Sequence, residues 1–284
     1  MLKIVVWDVQ HGHAMYIRTP NGKHIVIDLG IGSYERSSAD FSPLLHLKNE
    51  WGVSQLDCVI ITHPHRDHID DIFNFDKLTP KTLSRPKHLT EEEIRAGNKE
   101  PDKIIDKYLE ISKGYTNPVA PSNDPLLAEN NGGAQIQDFT PSSCGTSNLN
   151  NHSIVTVISY AQSKMIIPGD NEPPSWDELL KRTDFLNAIK GTDILLAPHH
   201  GRESGFSSTL FKHIKPRLTI ISDGPFCDTS ATNRYAQQTQ GWTVRKRSGG
   251  RETRKCVTTR SDGVIDVEFG QNPSWSPYMR VTID

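Results

Sequence analysis

Four apolar runs in this chain stop abruptly at acidic or imidazole side chains. They are HIVID at Asp28, CVIITHPH at His63 and His65, MIIPGD at Asp170, and ILLAPHH at His199 and His200. Short β-branched runs of this kind read as strands. Strands that share a sheet edge bring their ends together, and loops at such an edge are where sites are built. The densest ending is THPHRDHIDD at 62–71, directly after LDCVII. His63 and His65 are two residues apart, so in extended backbone they point the same way. Asp67 and His68 fall on the following turn and can curl back toward them. Imidazole nitrogens and carboxylate oxygens suit zinc, and also manganese or iron.

Strands dominate both ends of the chain. KIVVWDV, AMYIRT, HIVIDLG and LDCVIIT fill the first sixty residues, with Asn21-Gly22 as a hairpin turn between the second and third. SIVTVISY, KMIIPGD, DILLAPHH, RLTIISDG, TVRKR, CVTTR and GVIDVEF follow residue 150, with helical patterns around 176–190 and 207–214. This mixture predicts an α+β or layered α/β/β/α domain. Residues 74–150 differ: a helix is expected over 90–113, opened by a capping signal at Thr90 and Glu93, and a Pro/Asn/Gly-rich stretch follows. We read 1–284 as one domain with an insertion at about 74–150 lying over one face.

The 284 residues suffice for a sizeable core, and 35% hydrophobic with 23% charged residues is the balance of a soluble globular protein. A formal charge of -2 predicts no general affinity for polyanions. Cys58, Cys144, Cys227 and Cys256 form no CxxC pair, which argues against a zinc knuckle or a disulfide scaffold and suits a reducing compartment. The N-terminal MLKIVVWDVQHGHAM reads as a first strand and not a signal peptide, and no stretch reaches a membrane span, so a cytoplasmic location is expected.

At these residues the sequence resembles the metallo-β-lactamase superfamily, through HPHRDH at 63–68. It is most similar to stand-alone forms of the domain found in ComEC-type competence proteins of DNA uptake. The matching segments are DVQHGHA at 8–14, IRTPNGKHIVIDLG at 17–30, the NNxS start at 150–153, PGD at 168–170 and APHHGRESG at 197–205. The resemblance implies a four-layer αββα sandwich with two divalent metal ions, zinc or manganese, on one rim. His63 and His65 would bind the first ion, Asp67 and His68 the second, and Asp170 would bridge them. One of His199 and His200 would complete the second site, His200 being favoured, and the other would face substrate. Asp28 would orient a ligand histidine.

Departures from the family pattern accompany this. The further first-site histidine usual in the superfamily is absent, and His152, one position from its place, or a water would complete the first ion. Gln10 and His13 replace the first glycine and the aspartate of a GQGD motif; His13 is either a substitute contact near the site or a loop residue. ATNRY at 231–235 stands where YGHP is usual, making Asn233 and Arg234 candidate substrate contacts, with Ser204 beside the histidine pair.

The resemblance implies hydrolysis by metal-activated hydroxide, with Asp67 orienting the attacking water and His199 or His200 protonating the leaving oxygen. A phosphodiesterase or nuclease is expected, because the relatives act in DNA uptake and two basic runs are present. These are KLTPKTLSRPKH at 77–88, with Lys77, Lys81, Arg85 and Lys87, and RKRSGGRETRK at 245–255. Trp242, Trp275 and Tyr278 are candidate stacking residues. The alternatives are hydrolysis of a lactone, thioester or phosphocholine ester, and a non-catalytic binding or regulatory role. A nucleic-acid or nucleotide substrate is expected, with a partner protein or homo-oligomer and no membrane.

Overall fold

Successive residues of each strand face opposite sides of a sheet, and here both sides are apolar. In the first strand, Leu2–Val6, Leu2, Ile4 and Val6 enter one core while Val5 enters another. In Ser163–Ile167, Met165 and Ile167 share the first core and Ile166 joins a third. Strands buried on both faces require a layer on each side.

A computed structural model describes residues 1–32, 41–98, 102–224 and 229–284. Among them, a nine-stranded sheet runs in the order Arg251–Arg254, Trp242–Lys246, Pro277–Ile283, Ile265–Gln271, Leu2–Val6, Ala14–Arg18, His24–Leu29, Leu56–Ile60 and Pro80–Ser84. A six-stranded sheet runs in the order Cys256–Thr258, Leu218–Ile221, Ile194–Leu196, Ser163–Ile167, Val155–Tyr160 and Gln135–Phe139. The shared core, with Ile27, Ile60, Ile167 and Leu196, packs between the sheets. Helices Pro43–Asn49 and Lys103–Gly114 cover the outer face of the first sheet, and Pro173–Leu179 and Thr183–Ile189 that of the second. The result is the four-layer αββα sandwich.

The stretch 74–150 is woven into this frame. Pro80–Ser84 is the edge strand beside Leu56–Ile60, and Gln135–Phe139 the edge strand beside Val155–Tyr160. Where one helix was expected over 90–113, there are two, Glu91–Asn98 and Lys103–Gly114, the second capped by Asp102 through its bond to the Ile104 N–H. Residues 99–101 lie outside the described residues, as does Cys227. The expected Thr90–Glu93 capping box is formed, with Glu93 N–H donating to the Thr90 hydroxyl and Thr90 N–H to the Glu93 carboxylate. The helical patterns around 176–190 and 207–214 become Pro173–Leu179, Thr183–Ile189 and a single 3-10 turn at Leu210–Lys212. Among the described residues, no helix is long and apolar enough to cross a membrane.

Strand direction decides where the site lies. His24–Leu29 and Leu56–Ile60 run parallel, with Ile27 opposite Ile60, so Asp28 and His63 leave the sheet at the same end. Ser163–Ile167 and Ile194–Leu196 are likewise parallel, so Asp170 and the histidine pair share an end of the other sheet. A backbone bond then laces the two rims together, Ile154 N–H donating to Thr62 C=O (2.9 Å), and within the second rim His199 N–H donates to Gly169 C=O (3.2 Å).

Candidate metal centre

Asp67, His68, Asp170 and His200 each present one donor atom within 4.8 Å of the others. His68 Nε2 lies 3.2 Å from Asp170 Oδ1, and His200 Nε2 lies 3.2 Å from Asp67 Oδ2 and 3.6 Å from Asp170 Oδ2. What the outward nitrogens of the two histidines carry follows from their inward partners. His68 Nδ1 faces Asp28 Oδ2 at 2.7 Å, and His200 Nδ1 faces the Ser222 carbonyl at 3.0 Å. Both partners accept hydrogen bonds, so in the neutral ring the proton sits on Nδ1 and Nε2 carries a lone pair. Each Nε2 is buried without a hydrogen-bond partner and confronts carboxylate oxygens. Lone pair against carboxylate is repulsive unless a cation sits between them. The donor set therefore fits a divalent metal ion, and a proton is its competitor.

The charges tell the same story. Burial opposes protonation of His68, but Asp170, Asp28 and Asp67 together raise its pKa well above the ordinary range. Burial likewise pushes the Asp67 and Asp170 carboxyls up, yet the surrounding histidines hold both well below the usual carboxylate range. A metal ion must displace the His68 proton. His200 is raised by the same acids, so zinc affinity is expected to fall at least about tenfold per pH unit once both histidines hold protons. Zinc titrations between pH 8 and pH 5 measure this, and a pH-independent affinity would remove His68 from the ligand set.

His63 and His65 stand beside this group. His63 Nε2 and His65 Nδ1 approach to 3.0 Å, and His63 Nε2 is 3.9 Å from Asp170 Oδ2. His65 opens the short helix Arg66–Ile69, whose first turn carries Asp67 and His68 back toward the rim. Asp28 is fully buried and accepts from Thr62 N–H (2.7 Å) and Thr62 Oγ1 (2.8 Å), while holding His68 and His13 through their Nδ1 atoms. His13 is thus buried within the cluster, 2.9 Å from Asp28, with its Nε2 unpartnered.

The remaining expected residues are placed differently. His152 turns its ring away to His88, with Nδ1 2.9 Å from His88 Nε2, and its Nε2 lies 3.4 Å from the Gly145 carbonyl. His199 points Nδ1 at Ser204 Oγ (2.8 Å) and Glu172 Oε1 (3.2 Å), with Nε2 3.9 Å from Asp170. Arg234 pairs with Glu203 and lies over the Phe206 ring, 3.8 Å from its centroid, while Asn233 is exposed on the same helix, Thr232–Gln238.

Three residues near the rim lacked a clear local signal. His11 Nε2 is 3.4 Å from Asp67 Oδ2, and burial together with nearby His200 lowers its pKa to about 4, so it is neutral at pH 7. Glu172 accepts from Asn148 and Asn150 and faces His199. Asp223 is buried beyond the strand Leu218–Ile221, 3.3 Å from Arg260, and burial raises its carboxyl to about 6. It ends RLTIISD as the other acids end their strands, and that repetition was its signal.

Backbone strain gathers at the same place. Of seven non-glycine residues at positive φ among the described residues, Gln10, Asp28, His199 and His200 flank the cluster. Such conformations persist where surrounding contacts over-determine them, and they concentrate at functional sites.

Residues 7–218 match the model of the metallo-beta-lactamase superfamily. The chain is 23% identical over 232 residues to ComE operon protein 3 of Bacillus subtilis, covering 76% of this chain and 28% of that protein. It is 25% identical over 217 residues to Recombination protein 2 of Haemophilus influenzae, covering 76% of this chain and 24% of that protein. The chain thus spans about a quarter of the length of these curated relatives. A diphosphatase from the PhnP family aligns with a TM-score of 0.47 at 11% identity, covering 95% of this chain and 98% of that one. The family match spans most of the sequence and includes the strand ends that build the rim, and the chain belongs to the metallo-beta-lactamase superfamily.

Proposed function

We propose that this chain is a metal-dependent phosphodiesterase or nuclease with a dinuclear site. The observation that carries the metal is the pair of buried, unpartnered Nε2 atoms, on His68 and His200, facing Asp67 and Asp170. His63, His65 and Asp170 would hold one ion, and Asp67, His68, Asp170 and His200 the other. Zinc is the first candidate and manganese the second for this imidazole–carboxylate set. Divalent ions held there supply Lewis acidity and acidify a bound water.

The chain's own groups do the rest. Asp67 would accept a hydrogen bond from the attacking water and fix its direction. His199, partly exposed and backed by Glu172 and Ser204, would hold at Nε2 the proton that goes to the leaving oxygen. Burial opposes the ionised form of Glu172, but its contacts with His199 and Asn150 keep its pKa below the usual value, so the carboxylate is available to support a protonated His199.

A phosphodiester is favoured by Arg202. Its Nε is buried with no hydrogen-bond partner among the described residues, and its charge helps depress the neighbouring His11. A guanidinium whose charge reaches the rim suits a phosphate there. The two basic runs add less support than their length suggests, because several of their charges are already paired. Lys81 pairs with Asp57, and Arg85 is occupied by Ser112 and the Tyr115 carbonyl. Residues 245–255 form a hairpin at the far edge of the nine-stranded sheet, where Arg247 meets Asp266 and Asp284 and Arg254 meets Glu252 and Asp262.

The test is hydrolysis of bis(p-nitrophenyl) phosphate with added zinc or manganese, beside an aryl ester, a lactone and an Asp67→Asn control. Metal-dependent cleavage of the phosphodiester, lost in the control, is the expected result. Cleavage of the aryl ester or lactone alone would transfer the site to another ester. No turnover by folded, metal-loaded protein would leave it a binding member of the fold.

A further inference from the structure

At the opposite end of the strands from the metal cluster, one cross-strand row carries an excess of basic side chains. Lys3 lies directly opposite Arg18, and Arg18 directly opposite His24. Like charges facing one another across a sheet are destabilising. The row continues to Glu268, opposite Lys3, but Glu268 is engaged by Arg280 at 2.9 Å, and Lys3 reaches diagonally to Asp266 at 3.5 Å. No acceptor for the Arg18 guanidinium is found among the described residues, so the surplus charge of the row falls there.

These side chains line a cavity of about 510 Å³, with Tyr16, Trp51 and Gln55 completing the walls that matter. The size suits a small-molecule ligand. Trp51 is 41% exposed and follows the helix Pro43–Asn49. Its backbone N–H donates to the His46 carbonyl (3.3 Å), and its ring is met edge-on by Tyr16 and by the His46 imidazole, each at 5.2 Å. An indole held this firmly, with solvent in front of it, is a stacking platform of low entropy cost. The Lys3 ammonium stands 5.6 Å from the same ring. The Tyr16 hydroxyl meets His24 Nδ1 at 2.7 Å. Burial pushes the tyrosine pKa up to about 12, so it keeps its proton and donates it, and the neutral imidazole carries its hydrogen on Nε2.

We propose that this cavity is a second ligand site for a nucleoside phosphate, with the base stacked on Trp51 and the phosphate held by Arg18, Lys3 and His24. Four strand steps, about 13 Å, separate His24 from Asp28 along one strand, so a ligand here does not touch the metal cluster. The site does not rest on the hydrolytic reading, since a protein inactive on phosphodiesters can still bind a nucleotide at Trp51. The same chemistry comes from a free mononucleotide or from one unit of a single strand.

Calorimetric titration of the metal-loaded protein with AMP, adenosine, inorganic phosphate and a pentaadenylate tests it. AMP or the pentaadenylate is expected to bind at least about tenfold more tightly than adenosine or phosphate, with a loss of about tenfold in both Trp51→Leu and Arg18→Gln. Both residues are exposed enough for the variants to fold, and Arg18→Lys should restore part of the affinity. Tighter binding of the pentaadenylate assigns the site to a strand, and equal binding assigns it to the free nucleotide. Absent binding, binding unchanged in both variants, or phosphate binding as well as AMP would overturn the proposal, since nucleotide held only at the metal cluster is indifferent to Arg18.

Discussion

Asp170→Ala is expected to lower kcat/KM on a phosphodiester by on the order of a thousandfold or more and to weaken metal binding in parallel. Asp170 lies within 4 Å of His63, His68, His199 and His200, so it touches more of the histidines on both halves of the rim than Asp67, which meets His68 and His200. Its loss leaves the lone pairs of His68 and His200 facing a gap, and the Lewis acid that polarises the ester is no longer held. Asp170→Asn discriminates further, because it keeps the shape and one oxygen but removes the charge that balances two cations. Metal content and rate should fall together in both variants, the alanine more. A variant that keeps its rate but loses metal would separate the chemistry from the cluster altogether.

Gly30→Ala is expected to cost ~3 kcal/mol of stability, at the upper end of what overpacking produces. A Cβ there would stand 2.5 Å from the Asp67 carbonyl oxygen, 2.7 Å from His13 N and 2.9 Å from His13 O. All three are backbone atoms, so no rotamer change relieves the clash. The same contact is functional. Gly30 N–H donates to His13 C=O, and His13 N–H donates to Asp67 C=O, so the crowded spot ties the strand end of Asp28 to the turn that presents Asp67. Denaturant unfolding with metal removed measures the stability, and Gly114→Ala is the control, since nothing lies within 4 Å of a Cβ at that helix end. Equal stability for both variants would mean that this close approach does not exist in solution.

Much of the rim was legible because its signals are local. An apolar run that stops at His63, a two-residue step to His65, and a turn holding Asp67 and His68 lie within a span short enough for strand periodicity to orient them. Asp28, Asp170 and the histidine pair were legible because each ends a strand, and parallel strands end together. The choice between His199 and His200 depends on two successive left-handed backbone conformations, which send His200 inward to Ser222 and His199 outward to Glu172. Periodicity carries no such information. The free charge of the basic runs was hard to read for a related reason. Asp57, Asp262 and Asp284, which pair with Lys81, Arg254 and Arg247, come from other elements, so the runs display less charge than the sequence alone counts. His152 is similar: one position of sequence separates it from the family's ligand place, and the 3-10 turn Leu149–His152 sends its ring to His88.

The most direct measurement is anomalous diffraction at the zinc absorption edge, from crystals of this protein grown with zinc. The expected result is a peak enclosed by Asp67, His68, Asp170 and His200, with a second beside His63 and His65, sharing Asp170. Peaks confined to other places, such as the His88–His152 pair, or no peak in protein that binds zinc in solution, would contradict the assignment of this rim as the metal centre.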